Sequence, residues 1–98
     1  MAAPAPQMVA LAIGGPLARA DLPELCALAG RLIEQTGAEV ALCDVTRAEP
    51  DAVTVDALAR LRLAARNCGC RTRLRGASSQ LLELLAFVGL GELLQDER

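Results

Sequence analysis

Glu39-Val-Ala-Leu-Cys-Asp-Val45, the polar loop Thr46–Pro50, the run Asp51–Asn67 and the segment Cys68-Gly-Cys-Arg-Thr-Arg-Leu-Arg75 decide the fold. The first piece is almost wholly apolar over seven residues. That is the pattern of a strand buried on both faces, as in a parallel sheet. Asp51 follows Pro50 and is placed to cap a helix. The helical pattern runs to about Asn67, and Cys68-Gly69 ends it. Arg71, Arg73 and Arg75 then alternate with Thr72 and Leu74, as in a strand with one exposed face. Strand, helix and strand in that order make a crossover unit, whose two strands lie parallel.

The same alternation extends outward. Met8-Val-Ala-Leu-Ala-Ile13 reads as another buried strand, and Gly14-Gly15-Pro16 stops it. Asp21-Leu-Pro-Glu24 resembles a helix start, with Asp21 as N-cap, Pro23 in the first turn and Glu24 at the capping-box position. Leu25, Leu28, Ala29, Leu32 and Ile33 recur at helical spacing, and Gly37 suits a left-handed C-cap. After the third strand, Ser78 or Ser79 caps a leucine-rich helix ending near Gly89. Leu81, Leu84, Leu85 and Val88 supply its core face, and Leu82 and Phe87 are expected to extend that core. Leu90–Leu94 suggests a short final turn. The order β-α-β-α-β-α predicts a single-domain α/β sandwich, a mainly parallel sheet with helices packed on it. Residues 1–7 are expected to be a lead-in, 8–95 the domain and 96–98 a tail.

Composition narrows the function. The chain has 98 residues, 53% of them hydrophobic, with 12 acidic and 10 basic residues and a net charge of −2. All the basic residues are arginine. Histidine, Trp and Tyr are absent and Phe87 is the sole aromatic. The commonest general base and metal ligand is therefore missing, as are stacking platforms for bases and sugars. No glycine-rich phosphate loop is present, so no cofactor is expected. Cys26 and Cys43 read as small core residues, and Cys68-Gly-Cys70 is a weak metal or redox spacing. No run reaches the ~20 apolar residues of a membrane span, and no basic leader opens the chain; a cytoplasmic protein with reduced thiols is expected. Arg60, Arg62, Arg66, Arg71, Arg73 and Arg75 fall in one third of the chain. With an acidic net charge and no stacking aromatics, they suggest a solvated or acidic-partner face rather than nucleic-acid binding.

A helical wheel of 51–67 places Thr54, Leu58, Leu61 and Ala65 toward the sheet. Val55, Ala59 and Leu63 form an i, i+4, i+8 apolar stripe on the other side, bordered by Arg62 and Arg66 on one flank and Arg60 on the other. A docking face for another protein would have this form.

The segments Glu39–Val45, Asp51 opening a helix, Cys70–Arg75 and the closing Phe87-Val-Gly-Leu-Gly-Glu-Leu-Leu94 resemble, in this order, the STAS domain, the family of the bacterial anti-sigma factor antagonists. The likeness spans about residues 8–95, with a shorter N-terminal part than the family's. It implies a non-catalytic module of partner switching and transcription regulation. Family members carry Asp-Ser-Ser-Gly at this helix start, and a partner serine kinase phosphorylates the first serine. Here the segment is Asp51-Ala52-Val53-Thr54. Ala52 stands at the acceptor position and cannot be phosphorylated, which leaves Thr54 as the substitute acceptor to examine. The resemblance implies partner binding through Asp51, Ala52, Val55, Ala59, Arg62, Leu63 and Arg66. The implied partner is an anti-sigma, serine-kinase-like regulator. An alternative is the ATPase of a lipid-transport ABC complex, to which small STAS proteins serve as cytoplasmic accessory subunits. Direct membrane insertion is not expected, and a homodimer is compatible with the sequence.

Overall fold

The computed structural model describes residues 7–91. Three strands, β1 (Met8–Ala12), β2 (Val40–Asp44) and β3 (Arg71–Arg75), alternate with three helices, α1 (Leu22–Thr36), α2 (Ala52–Asn67) and α3 (Ser79–Phe87). The sheet order is β1-β2-β3 and both pairings are parallel. Ala10 pairs with Leu42 and Leu42 with Arg73 at the centre of the register. The α/β sandwich expected from the element order is what forms, and its sheet is wholly parallel among the described residues.

All three helices share one face of the sheet. Ile13, Ala29, Cys43, Val45, Leu58, Leu61, Leu74, Leu81 and Leu85 make one buried cluster, drawn from every helix and strand end. Val9, Ile33, Ala38, Ala41, Ala65 and Cys70 make a second at the other end of the strands. Strand alternation explains the membership: Val9, Ala41 and Thr72, then Leu11, Cys43 and Leu74, point to the helices. Met8, Ala10, Ala12, Arg71, Arg73 and Arg75 take the opposite face, with Val40 and Leu42 buried at its centre. Burial pushes the Cys43 thiol up to about 12, with the neighbouring Cys70 adding to the rise. Only the thiolate is an effective nucleophile, so Cys43 should resist iodoacetamide at pH 8 and react only as fast as the domain opens. Native-state labelling followed by mass spectrometry checks this; rapid Cys43 modification in folded protein would contradict it.

Two readings of the sequence change here. The run Met8–Ile13 is not buried on both faces. Among the described residues β1 is an edge strand, with every second residue exposed, Met8 by 49%. Asp21 stands at the N-cap position of α1, but its side chain makes no capping bond to the helix. A 3-10 turn, Arg19–Asp21, runs directly into α1, so the backbone of Asp21 is already helical. Its carboxylate instead accepts from the Ala18 N–H at 3.2 Å. The other ends form as the sequence suggests. Gly37 closes α1 at φ +63°, its N–H donating to the Ile33 carbonyl at 2.9 Å, and Ser78 caps α3 by accepting from the Leu81 N–H at 3.1 Å. Of the expected lead-in, residues 1–6 lie outside the described residues, and the Gln7 carbonyl accepts from Glu39 and Val40. The tail and most of the final turn also lie outside them. Among the described residues, no helix is long and apolar enough to cross a membrane.

Candidate functional site

The strand-to-helix junction after β2 starts the site. Asp44 ends β2, and its Oδ1 accepts from the Thr46 hydroxyl at 2.6 Å and the Thr46 N–H at 3.0 Å. These bonds stabilise the carboxylate and hold its pKa below the ordinary value, with Arg75 and Arg47 adding to the effect. Asp51 then enters α2 in extended conformation, and its Oδ1 accepts from the Thr54 N–H at 2.9 Å. Asp51→Ala should cost about 1 kcal/mol, the usual loss of an N-cap, seen as a lowered urea midpoint with unchanged slope. An unaltered midpoint would mean that water caps the helix as well as Asp51 does.

The inward face of α2 is as the wheel places it. Thr54, Ala57, Leu58, Leu61 and Ala65 are all buried. Thr54 is 3% exposed, so the native fold withholds its hydroxyl from a kinase. That is the side on which the wheel places it: the same helical turn that lets Asp51 cap the helix turns Thr54 onto the sheet, a poor position for a substitute acceptor.

The outward stripe divides into two parts. Ala52, Val55 and Ala59 face α3 and, with Leu84, Phe87, Val88 and Leu90, line a groove of about 510 Å³. Val55 and Ala59 are only partly exposed, since α3 packs along that flank of α2. Leu63 is not part of the groove; it stands 59% exposed, with exposed Arg66 one turn on and Arg62 half-buried beside it. Phe87 is 88% exposed and Val88 51%, contrary to their expected core role. The reason is helical geometry: Phe87 lies on the side of α3 away from the buried Leu81 and Leu85, and Val88 is the C-cap, after which Gly89 turns the chain at φ +83°. Leu81 and Leu85 alone fill the core side, with Leu90 following. Phe87 and Leu84 also line a second depression beyond the groove, with Pro50, Gln80 and Glu83. Phe87 is thus a ridge between two hollows.

At the other wall, Asp56 accepts from Arg19 at 2.9 Å and from Arg60 at 3.0 Å. The pairs are partly exposed and individually weak, but together they tie the 3-10 turn to α2. The clustered arginines do not form one patch. Arg60, Arg62 and Arg66 belong to α2 on the helical side, whereas Arg71, Arg73 and Arg75 project from the opposite face of the sheet. Sequence proximity joins them; the crossover separates them. Cys26 and Cys70 have thiols raised chiefly by burial, the wrong direction for a nucleophile. Among the described residues, no group of three or more Cys, Asp or Glu could hold a metal ion.

No protein-family model matches the chain, and no curated protein is significantly similar to it. The class that fold and site define is a parallel α/β domain with an apolar groove between its last two long helices.

Proposed function

We propose that the protein is a non-catalytic protein-binding module that docks a regulatory partner in the groove between α2 and α3. The observation that carries this reading is Phe87, exposed over 88% of its surface beside a groove lined by Ala52, Val55, Ala59 and Leu84. An exposed aromatic next to an apolar hollow is the composition of a binding hot spot, not of an ordinary solvated surface. The resemblance of residues 8–95 to STAS domains supports the same face, since the start of α2 is the family's partner-binding element. In this reading the protein is an anti-sigma-antagonist-like module that binds constitutively. Ala52 has no hydroxyl, and Thr54 is buried. Neither position therefore offers an exposed hydroxyl for the phosphate that would repel the partner at the start of α2.

The test is affinity capture by tagged protein from its own cells, comparing wild type with Ala59→Asp and Phe87→Asp. A carboxylate in the groove should reduce recovery of the partner at least tenfold, with circular dichroism unchanged. A regulator with a kinase-like ATPase domain would support partner switching. An ABC ATPase and permease lost from the same variants would keep the groove and replace the sigma-factor reading. Partners recovered equally by all three proteins would remove the groove as the interface.

A further inference from the structure

The C-terminal end of the chain leaves from the wall of the α2–α3 groove. Leu90 lines the groove and packs against the core cluster, and its N–H donates to the Leu85 carbonyl at 2.8 Å. The chain is therefore anchored on the helical side of the sheet just before Gly91. Residues 92–98, Glu-Leu-Leu-Gln-Asp-Glu-Arg, lie outside the described residues. They set two leucines, Leu93 and Leu94, close to the groove's rim, and two adjacent acids, Asp96 and Glu97, directly after them.

The flank of α2 that faces the groove has the matching order. Ala52, Val55 and Ala59 form the apolar floor. Arg62 and Arg66 continue the same helical line at i+3 and i+7 from Ala59. Over the whole helix Arg60, Arg62 and Arg66 stand against one acid, Asp56, which already bonds both Arg19 and Arg60. This side of α2 is thus net positive, whereas segment 92–98, with three acids and one arginine, is net negative. The lengths agree as well. From Ala59 to Arg66 the helix rises about 10 Å. From Leu93 to Glu97 the chain spans about 6 Å as helix and about 13 Å when extended.

We propose that residues 92–98 close the groove of their own chain, with Leu93 and Leu94 on Val55, Ala59 and Leu84, and with Asp96 and Glu97 beside Arg62 and Arg66. Phe87 stays on the ridge outside the contact, in keeping with its 88% exposure. Because it is tethered, the segment meets the groove at an effective concentration in roughly the millimolar range. The arginines of β3 are a weaker match, since they lie across the sheet from the anchor at Leu90. The consequence, which rests on the reading of this groove as the partner's site, is regulation. A partner has to displace the two leucines, and its apparent affinity falls with the fraction of chains left open.

Nuclear magnetic resonance of the full chain tests the closure without a partner. The Leu93 and Leu94 methyls should show through-space contacts to Val55 and Ala59 of the same chain. The double variant Leu93→Asp, Leu94→Asp should shift the amides of residues 52–59 and leave the other core signals in place, since a carboxylate is costly to desolvate there. Leucine methyls without contacts to α2 overturn the proposal. So do contacts to Val40 and Leu42, which would put the segment on the far face of the sheet, and contacts found only between chains in a mixed-label sample, which would make the occupant a second copy. Affinity capture with the same double variant tests the regulation: recovery of the protein lost on Ala59→Asp should rise about threefold or more. Unchanged recovery overturns the regulatory step. If no captured protein is lost on Ala59→Asp, the groove is not the partner's site, and the methyl contacts still decide the closure.

Discussion

Gly76→Ala should destabilise the domain by about 2–4 kcal/mol, the sum of a strained backbone and an overpacked contact. Gly76 follows β3 at φ +73°, a conformation that L residues rarely adopt. A methyl group there would overlap Thr46 Oγ1 and come within 3.0 Å of Thr46 Cβ and 3.2 Å of Thr46 Cα. Thr46 cannot retreat, because its hydroxyl and N–H both bond Asp44. The contact joins the loop that opens α2 to the loop that opens α3. Its loss would therefore loosen the two helices that form the groove. Gly69→Ala is the control: φ is +71° but nothing lies within 4 Å of the added carbon. It should cost only about 1–2 kcal/mol, the backbone share alone. Urea denaturation of both variants gives the difference. Equal midpoints would show that the Thr46 contact yields without cost.

The element order was legible because each piece carries its own period. The sequence from Val40 to Val45 is apolar at every position but Asp44, and a central parallel strand needs that on both faces. The inward row Thr54, Leu58, Leu61 and Ala65 repeats at the helical period, and Asp51 stands where a cap must stand. Exposure of β1 was not legible in the same way. Its outward positions are Met8, Ala10 and Ala12, which are apolar too, so the alternation is hidden in a run of one chemical type. Being an edge is a property of the sheet order, which no local pattern states.

The site was legible by half for a similar reason. A wheel separates inside from outside for one helix, and for α2 it did so. It cannot say which flank a third helix will cover, so Val55, Ala59 and Leu63 were read as one stripe although α3 walls only Val55 and Ala59. Phe87 sits on a flank of α3, beside a face that Leu81, Leu84, Leu85 and Val88 were expected to fill, and was assigned to the core although that face did not need it. Ending at Phe87, the helix has only nine residues, and two buried leucines complete its inner side. The signal that could have shown it is the surplus: Leu81, Leu82, Leu84, Leu85, Phe87 and Val88 are more apolar side chains than so short a helix can bury.

Leu58→Ala should have the largest effect on the fold, about 2–5 kcal/mol, whereas Phe87→Ala should change stability by about 0.5 kcal/mol or less. Both remove a large apolar side chain. Leu58 is fully buried in the cluster where α2 meets the sheet and α3, so its loss leaves a cavity that the surrounding leucines cannot fill without moving the strands. A domain of this length has a total stability of only about 5–15 kcal/mol, so the Leu58 variant should melt far below wild type or fail to fold at ambient temperature. Phe87 has given up little water, so removing its ring costs little transfer energy. Differential scanning calorimetry of the two variants separates these cases. The comparison also bears on function. If Phe87→Ala cost as much as Leu58→Ala, the ring would be packed against its own domain in solution and would be unavailable to a partner. A near-neutral Phe87→Ala leaves the ring in water, where its presence has no folding rationale and a docking role supplies one.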